Sequence, residues 1–440
     1  MSAATGMGGS HILVVGAGFA GLYAAMGLKS AVAEGHRVTV VNQESFFQYQ
    51  PFLPEVASGT IDPRAAVVPL RRVLKHCRVV IGEVTRVDHG AREAHVRTSN
   101  GDERTIDYDI VVLAPGSRSR VLPVPGLAEH GIGFKTVQEA IYLRNHVLAQ
   151  LDAAASSEED AGRRRAALTF VFVGGGYAGV EALGELEDLA RDAIETYPDL
   201  DASEMRWVLI DAADRILPEL PAGLASYARD LLQQREIDIK LGTRLDSIEG
   251  GVVRLSGGEV FPAETLVWTA GVKPSPLARG SGLPVDEQGR MLVDRYLRVE
   301  GIDDVWSAGD AAAVPDETTG GFSPPTAQHG LRQGKRVAAN IEAILAGGPP
   351  QPFVYANIGG VCSLGRYKGV ATVKGLRFKG FLGWFLHRSY HLLAMPTWTR
   401  RVKIATDWTV ALLFPRDLAQ LGSLGSPREP FERASNDQPS

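Results

Sequence analysis

Two glycine turns of the same form constrain this chain more than any other feature. Gly16-Ala17-Gly18-Phe19-Ala20-Gly21 follows the short apolar run 11–15, and Gly174-Gly175-Gly176-Tyr177-Ala178-Gly179 follows the run 169–173, starting 158 residues later. In a G-x-G-x-x-G turn the first glycine permits the tight bend and the second lets backbone approach a pyrophosphate. The third lets helix and strand pack closely. The helix that opens there offers unpaired N–H groups and a partial positive charge to the anion. Each copy continues as a helical stretch, to Leu28 in the first and from Val180 to Ile194 in the second, and then as a second strand, 37–42 or 206–211. A single such turn serves packing as readily as nucleotide binding. Two of them, each in its strand–turn–helix setting, imply two dinucleotide sites and a duplication of whole domains rather than a solenoid.

Composition sets the outer bounds. The chain has 440 residues, enough for two such units and a further region. Its two cysteines, Cys77 and Cys362, lie far apart and in no C-x-x-C pair, which excludes a disulfide scaffold, a zinc ribbon and an adjacent redox dithiol. Both read as structural, and no metal site is expected. A formal net charge of −5 argues against a nucleic-acid binder. No apolar run approaches the roughly 18 to 20 residues that span a bilayer. The start of the chain has no charged segment leading into an apolar one, so no signal peptide is expected. A soluble or peripheral intracellular protein is expected.

The end of the second strand decides which nucleotide a Rossmann-like unit prefers. Asp211 closes 206–211; its carboxylate can accept from a ribose 2′-OH and would repel a 2′-phosphate, which favours NADH over NADPH. Arg215, four residues on, is either a surface arginine or a phosphate ligand. The first copy ends at Asn42-Gln43 without a carboxylate, although Asn42 can still bond ribose hydroxyls. Later segments repeat a strand ending in a small turn: 110–116, with Ala114 and Gly116, and 265–271, with Ala270 and Gly271. The stretch 304–310 ends in Gly309-Asp310, a loop is expected over 315–325, and a helix opens near Thr326. The acidic, small-residue stretch 153–162 reads as an exposed loop, and the tail from Ser423 as frayed.

These motifs together resemble the flavoproteins with two dinucleotide-binding domains. The resemblance implies FAD on the first turn, NADH on the second, and an Asp310 that returns to the FAD ribityl and phosphate region. Within that group, Phe47-Gln48-Tyr49-Gln50-Pro51-Phe52-Leu53-Pro54-Glu55 and Val267-Trp268-Thr269-Ala270-Gly271-Val272-Lys273 resemble type II NADH:quinone oxidoreductases. So does Ala327-Gln328-His329-Gly330-Leu331-Arg332-Gln333-Gly334, similar to the family's A-Q-x-A-x-Q-Q-G segment beside flavin and quinone. Gly330 and Arg332 depart from that pattern. Arg332 replaces a glutamine and is either a donor to a quinone carbonyl or a solvated arginine. The resemblance makes Glu181, just after the second turn, a residue of nicotinamide placement and proton handling, and Gln328 and Arg332 quinone-side residues. His329 is either a proton relay or a surface or capping histidine.

The implied fold is α/β with two Rossmann-like domains, the FAD domain discontinuous: residues 1–120 and 295–345 for FAD, 121–294 for NADH, and 346–440 as a C-terminal membrane-associating, quinone-side region. The implied activity is FAD-dependent transfer of two electrons from NADH to menaquinone or ubiquinone, without proton pumping, on the cytoplasmic face of the membrane. Between Arg366 and Arg416 ten Lys/Arg stand against one acid, Asp407, interleaved with Trp384, Trp398 and Trp408. That pattern predicts an interfacial element on anionic lipid, with four or five cations facing it and Trp384 and Trp398 inserted. The alternatives are a basic homodimer interface and a packed helix pair with a solvated basic face. The competing functions are a soluble reductase of the same fold, and a slow-turnover flavoprotein with a redox-linked binding role.

Overall fold

The computed structural model describes residues 9–157, 159–356 and 358–420; the tail expected to fray from Ser423 lies outside the described residues. The apolar runs become the central strands of two sheets. In the first, seven strands run in the order Val305–Ser307, Ile110–Leu113, His11–Val15, Arg37–Asn42, Arg78–Asp88, Glu93–Thr98, Glu103–Asp107. The first five are parallel and the last two form an antiparallel extension. In the second sheet five parallel strands run Gly131–Gly133, Thr265–Trp268, Thr169–Val173, Arg206–Ile210, Asp238–Lys240. Helices cover both faces of a parallel sheet, so its central strands read as continuous apolar runs rather than alternating ones. Every residue of Ile110–Leu113, Thr169–Val173 and Thr265–Trp268 is buried accordingly.

Seven helices place the site: α1 (Phe19–Gly27), α2 (Leu53–Ala57), α3 (Val137–Ala155), α4 (Tyr177–Ile194), α5 (Ala327–Leu345), α6 (Gly380–Ala394) and α7 (Trp398–Leu413). α4 begins three residues before the expected Val180, with Gly176 at its N-cap. α3 opens on a capping box in which Thr136 and Glu139 satisfy each other's backbone N–H groups. The acidic stretch after it is less of a loop than expected. α3 runs on to Ala155, and Asp160 caps a further helix, Ala161–Ala167, by accepting from the Gly162 and Arg163 N–H groups at 3.0 and 2.9 Å. The 315–325 loop likewise holds a short hairpin, Pro315–Asp316 with Gly321–Phe322. α5 lies against α1 so closely that a Cβ on Gly334 would stand 2.1 Å from the Ala20 carbonyl oxygen.

The C-terminal region is a three-stranded antiparallel sheet (Val361–Ser363, Gly369–Val373, Leu376–Lys379) followed by α6 and α7. Among the described residues no helix is long and apolar enough to cross a membrane. Here the charge reading needs correction. Most of the ten cations are tied inward. Arg388 is buried beside Glu55, Arg416 pairs with Asp192 at 3.1 Å, and Lys403 with Asp62 at 3.0 Å. Arg400 and Arg401 donate to the carbonyls of Val67 and Met395. Lys374, Arg377 and Lys379 are the exposed ones, and Lys379 lies over Tyr227. Trp384 is buried against Arg388, not available to lipid. The large side chains exposed on α6, on α7 and at Phe414 just after it are apolar: Phe381, Phe385, Leu393, Trp398, Leu413 and Phe414.

Candidate active site

The two glycine turns divide their labour as the motif requires. Gly16 sits at φ +88°, and a Cβ there would stand 2.2 Å from the Ala114 carbonyl oxygen. At Gly21 and Gly179 a Cβ would stand 1.9 Å from the carbonyl oxygen of Gly16 or Gly174, so these two hold helix against strand. At Gly18 and Gly176 a Cβ would meet nothing within 4 Å. Both are N-caps without a side-chain cap, so the first N–H groups of α1 and α4 face open space. That is the donor set a pyrophosphate needs, and FAD fits the first turn on this ground. The second turn offers the same to a second dinucleotide.

The strand ends next to the turns do related work. Asn42 Oδ1 accepts from the Ala17 N–H at 2.8 Å, while its Nδ2 donates to the Glu44 carbonyl. Asp211 Oδ2 accepts from the Gly175 N–H and Oδ1 from the Ala213 N–H. Both side chains therefore brace their turns. Asn42 spends its amide on backbone, and both Asp211 carboxylate oxygens accept from backbone as well. Arg215 donates to the Pro218 carbonyl. Gln43 is exposed beside Asn42.

Between the two sheets and the C-terminal region lies a cleft of about 710 Å³. It gathers Phe19, Tyr177, Ala178, Glu181, Gly271, Asp310, Ala327 and Gln328 from the expected set. Ala20, Ala114, Gly116, Gly174, Ala270 and Gly309 belong to the turns around it rather than to its lining. Asp310 Oδ2 accepts from the Ser117 hydroxyl at 2.6 Å, and the Lys135 ammonium donates to that hydroxyl at 3.0 Å. Burial lowers the Lys135 pKa, against the pull of Asp310 and Glu139. Gln333 Oε1 accepts from the Gly309 N–H at 2.8 Å and so fixes α5 to the Gly-Asp turn.

Gln328 reaches the cleft with both ends of its amide engaged, Oε1 by the Tyr355 hydroxyl at 2.9 Å and Nε2 by the Gly359 carbonyl at 3.3 Å. Arg332 is half-buried beside the cleft rather than in its lining. It donates to the Gln328 carbonyl at 2.9 Å, and its guanidinium lies 4.2 Å from the Tyr355 ring centroid. Thr326, not His329, caps α5: its hydroxyl accepts from the His329 N–H and meets His329 Nδ1 at 2.8 Å, while His329 itself lines the cleft and burial holds its pKa below the usual value. Burial pushes the Cys77 thiol up to about 12 and the Cys362 thiol well above its usual value.

Glu181 is buried on α4 at the cleft wall. Its Oε1 accepts from the Ser363 N–H at 2.9 Å and lies 3.0 Å from His387 Nε2 of α6. The sequence reading missed His387, together with Tyr49, Lys135, Glu185 and His391. Lys135 stands in no motif. His387 and His391 do carry a signal, since residues four apart on a helix share one face.

Residues 10–334 match the pyridine nucleotide-disulphide oxidoreductase family, and the chain belongs to that family. Two relatives narrow the assignment. Type II NADH:quinone oxidoreductase Ndh of Mycobacterium tuberculosis is 31% identical over 421 residues, 92% of this chain and 89% of that protein. Type II NADH:quinone oxidoreductase of Staphylococcus epidermidis is 32% identical over 383 residues, 86% of this chain and 93% of that protein. Within the wider family, the chain belongs to the type II NADH:quinone oxidoreductases. The fold is that of NDH2 from Plasmodium falciparum, solved in complex with NADH, with a TM-score of 0.86 at 16% identity over 93% of this chain and 99% of that one.

Proposed function

We propose that the cleft is where this FAD-dependent NADH:quinone oxidoreductase brings its two substrates to one flavin. The observation that carries the reading is the pair of open, uncapped helix N-termini, α1 and α4, on either side of a single cleft. Bound FAD supplies the redox chemistry, taking two electrons from NADH and yielding them to quinone. The chain's part is to bind, orient and exclude water. Gly16, Gly18 and Gly21 hold the FAD pyrophosphate over α1, with Asp310 as acceptor for the ribityl chain. Gly174, Gly176 and Gly179 do the same for NADH over α4, and Asp211 selects the ribose without a 2′-phosphate. Glu181 handles a proton at the cleft wall. Gln328 borders the quinone side, and Arg332 positions it through its carbonyl and through Tyr355. The FAD domain is then residues 1–120 with 295–345, the NADH domain 121–294, and the quinone-side region 346–440.

The quinone enters from a membrane on whose cytoplasmic face the enzyme sits peripherally. Support comes from the exposed apolar side chains of α6 and α7, with Lys374, Arg377 and Lys379 nearby for anionic headgroups. A second copy of the chain is the competing occupant of that face. The test of the site is anaerobic single turnover: one equivalent of NADH should bleach the flavin absorbance, and one of quinone should restore it. NADH that bleaches while no quinone restores would leave the soluble-reductase reading standing. Sedimentation velocity with and without vesicles separates lipid from self-association.

A further inference from the structure

Positive charge is sparse in the lining of the cleft. Its acids are Asp310, Glu181 and Glu219, and its lysines Lys135 and Lys374. His329 and His391 also line it, and burial holds both below their usual pKa. Lys374 is exposed on the C-terminal sheet, whereas Lys135 is half-buried in the wall. Lys135 is therefore the lysine that the fold holds inside the cleft.

Its backbone is gripped by two stretches far apart in the chain. The Lys135 N–H donates to Glu139 Oε2 at 2.7 Å, within the capping box that opens α3. The Lys135 carbonyl accepts from Gln48 Nε2 at 2.7 Å, and Gln48 Oε1 accepts from the Val137 N–H at 2.7 Å. Gln48 thus closes both sides of its amide on the residues around Lys135.

The side chain, by contrast, is held at one point. Its ammonium donates to Ser117 Oγ at 3.0 Å, and that hydroxyl donates onward to Asp310 Oδ2 at 2.6 Å. An ammonium carries three N–H donors, so two are left without a partner among the described residues. A charged amine in a wall with most of its donors unmet is costly, unless a group in the cleft meets them. Burial lowers the Lys135 pKa accordingly, against Asp310 and Glu139. The relay also sits beside the first glycine turn. Gly309, next to Asp310, packs on α1 so closely that a Cβ there would stand 3.1 Å from Ala20 Cβ.

The charge that develops in the reaction gives such a cation a use. Hydride transfer from NADH breaks a nicotinamide C–H bond and forms an N–H bond on the flavin. It adds two electrons and one proton, and therefore one negative charge, to the ring. Quinone reduction removes both electrons and that proton again, with a second proton from solvent. A fixed cation facing the ring stabilises the reduced, charged form over the oxidised, neutral one, and so raises the flavin midpoint potential. We propose that Lys135 is that cation, positioned by Ser117 and Asp310, and that it sets how readily the flavin accepts electrons from NADH. The inference rests on FAD occupying the α1 side of the cleft.

The test compares the FAD-loaded parent with Lys135→Met and Lys135→Arg. Spectroelectrochemical titration reads the flavin potential, and titration with sulfite reads the same field independently, since sulfite adds to oxidised flavin and leaves negative charge on the ring. Lys135→Met should shift the balance of reduced to oxidised flavin at least tenfold towards oxidised, about 30 mV downward for a two-electron couple. It should also weaken sulfite binding at least tenfold, and Lys135→Arg should keep most of both. A flavin-replete Lys135→Met protein with the parent's potential and sulfite affinity would overturn the proposal. Should that variant fail to fold or to hold FAD, lysine labelling of the parent decides, by reductive methylation and mass spectrometry before and after the flavin is removed. Lys135 should label at least tenfold more slowly with FAD bound, with Lys75, exposed and outside the cleft, as the unchanged reference. Equal labelling of Lys135 in both states would refute the contact. A Gly18→Val protein that binds FAD as tightly as the parent would instead defeat the placement of the flavin at α1.

Discussion

Gly18→Val separates flavin binding from folding in a way the structure quantifies. Gly18 has φ −71° and ψ −163°, an extended conformation that valine adopts freely, and a Cβ there meets nothing within 4 Å. The cost to the apoprotein should stay within about 0.5 kcal/mol, as for other unstrained exposed changes. The branched side chain nevertheless stands where the α1 N–H groups would meet a pyrophosphate. Hydrogen bonds to charged groups are worth about 1.5–3 kcal/mol each. Losing two gives about 3–6 kcal/mol, or at least about a hundredfold in Kd at roughly 1.4 kcal/mol per decade. Gly21→Ala is the contrast. Its Cβ would lie 1.9 Å from the Gly16 carbonyl oxygen, and the forced shift should cost at least about 2 kcal/mol in the fold itself. Thermal unfolding of both apoproteins, and FAD titration followed by flavin fluorescence quenching, measure the two effects. A Gly18→Val protein that binds FAD as tightly as the parent, or unfolds as early as Gly21→Ala, would refute the division of roles between the two glycines.

Asp211→Ala should erode the coenzyme preference, which in the parent is expected to favour NADH at least about tenfold in kcat/KM, or 1.4 kcal/mol; equal use of both coenzymes by the parent would contradict the role of Asp211. Stability should fall on acidification below about pH 6.5. His11, His146, His329 and His391 are all held below their usual pKa, chiefly by burial, so the unfolded chain binds their protons first and stability is lost as pH falls. Each fully shifted group contributes up to about 1.4 kcal/mol per pH unit; denaturant midpoints flat between pH 6.5 and 5 would refute it. Vesicle binding should survive high salt, because the face is mainly apolar. Replacing Trp398 and Leu413, 74% and 72% exposed, by serine should weaken it about a hundredfold or more, at roughly 1.5–3 kcal/mol per side chain; binding abolished by salt alone would restore the charge-driven account.

The frame of the molecule was legible because its signals are local. Apolar runs bounded by glycine or by a polar residue become strands at 11–15, 37–42 and 169–173 with the expected ends. Residues adjoining the turns, such as Phe19, Tyr177 and Glu181, fall on the cleft because strand, turn and helix fix their direction over a few residues. The fate of the C-terminal cations was not legible. Arg388, Lys403 and Arg416 find Glu55, Asp62 and Asp192, partners from segments far away in the chain, and no composition count reveals such pairings. The surroundings of Arg332 were not legible for a related reason. Its neighbour Tyr355 comes from a stretch with no motif of its own, and the ring turns a solvent-seeking guanidinium inward. The His387–Glu181 contact likewise needs α6 docked on the C-terminal sheet before it exists.

The most direct measurement is steady-state NADH oxidation by purified, FAD-loaded protein on lipid vesicles with a panel of quinones, monitoring NADH loss and quinol gain together. One quinol should form for each NADH consumed, with NADPH a poor substitute. NADH consumed only with a water-soluble dye, or with no quinol formed from any member of the panel, would contradict the account.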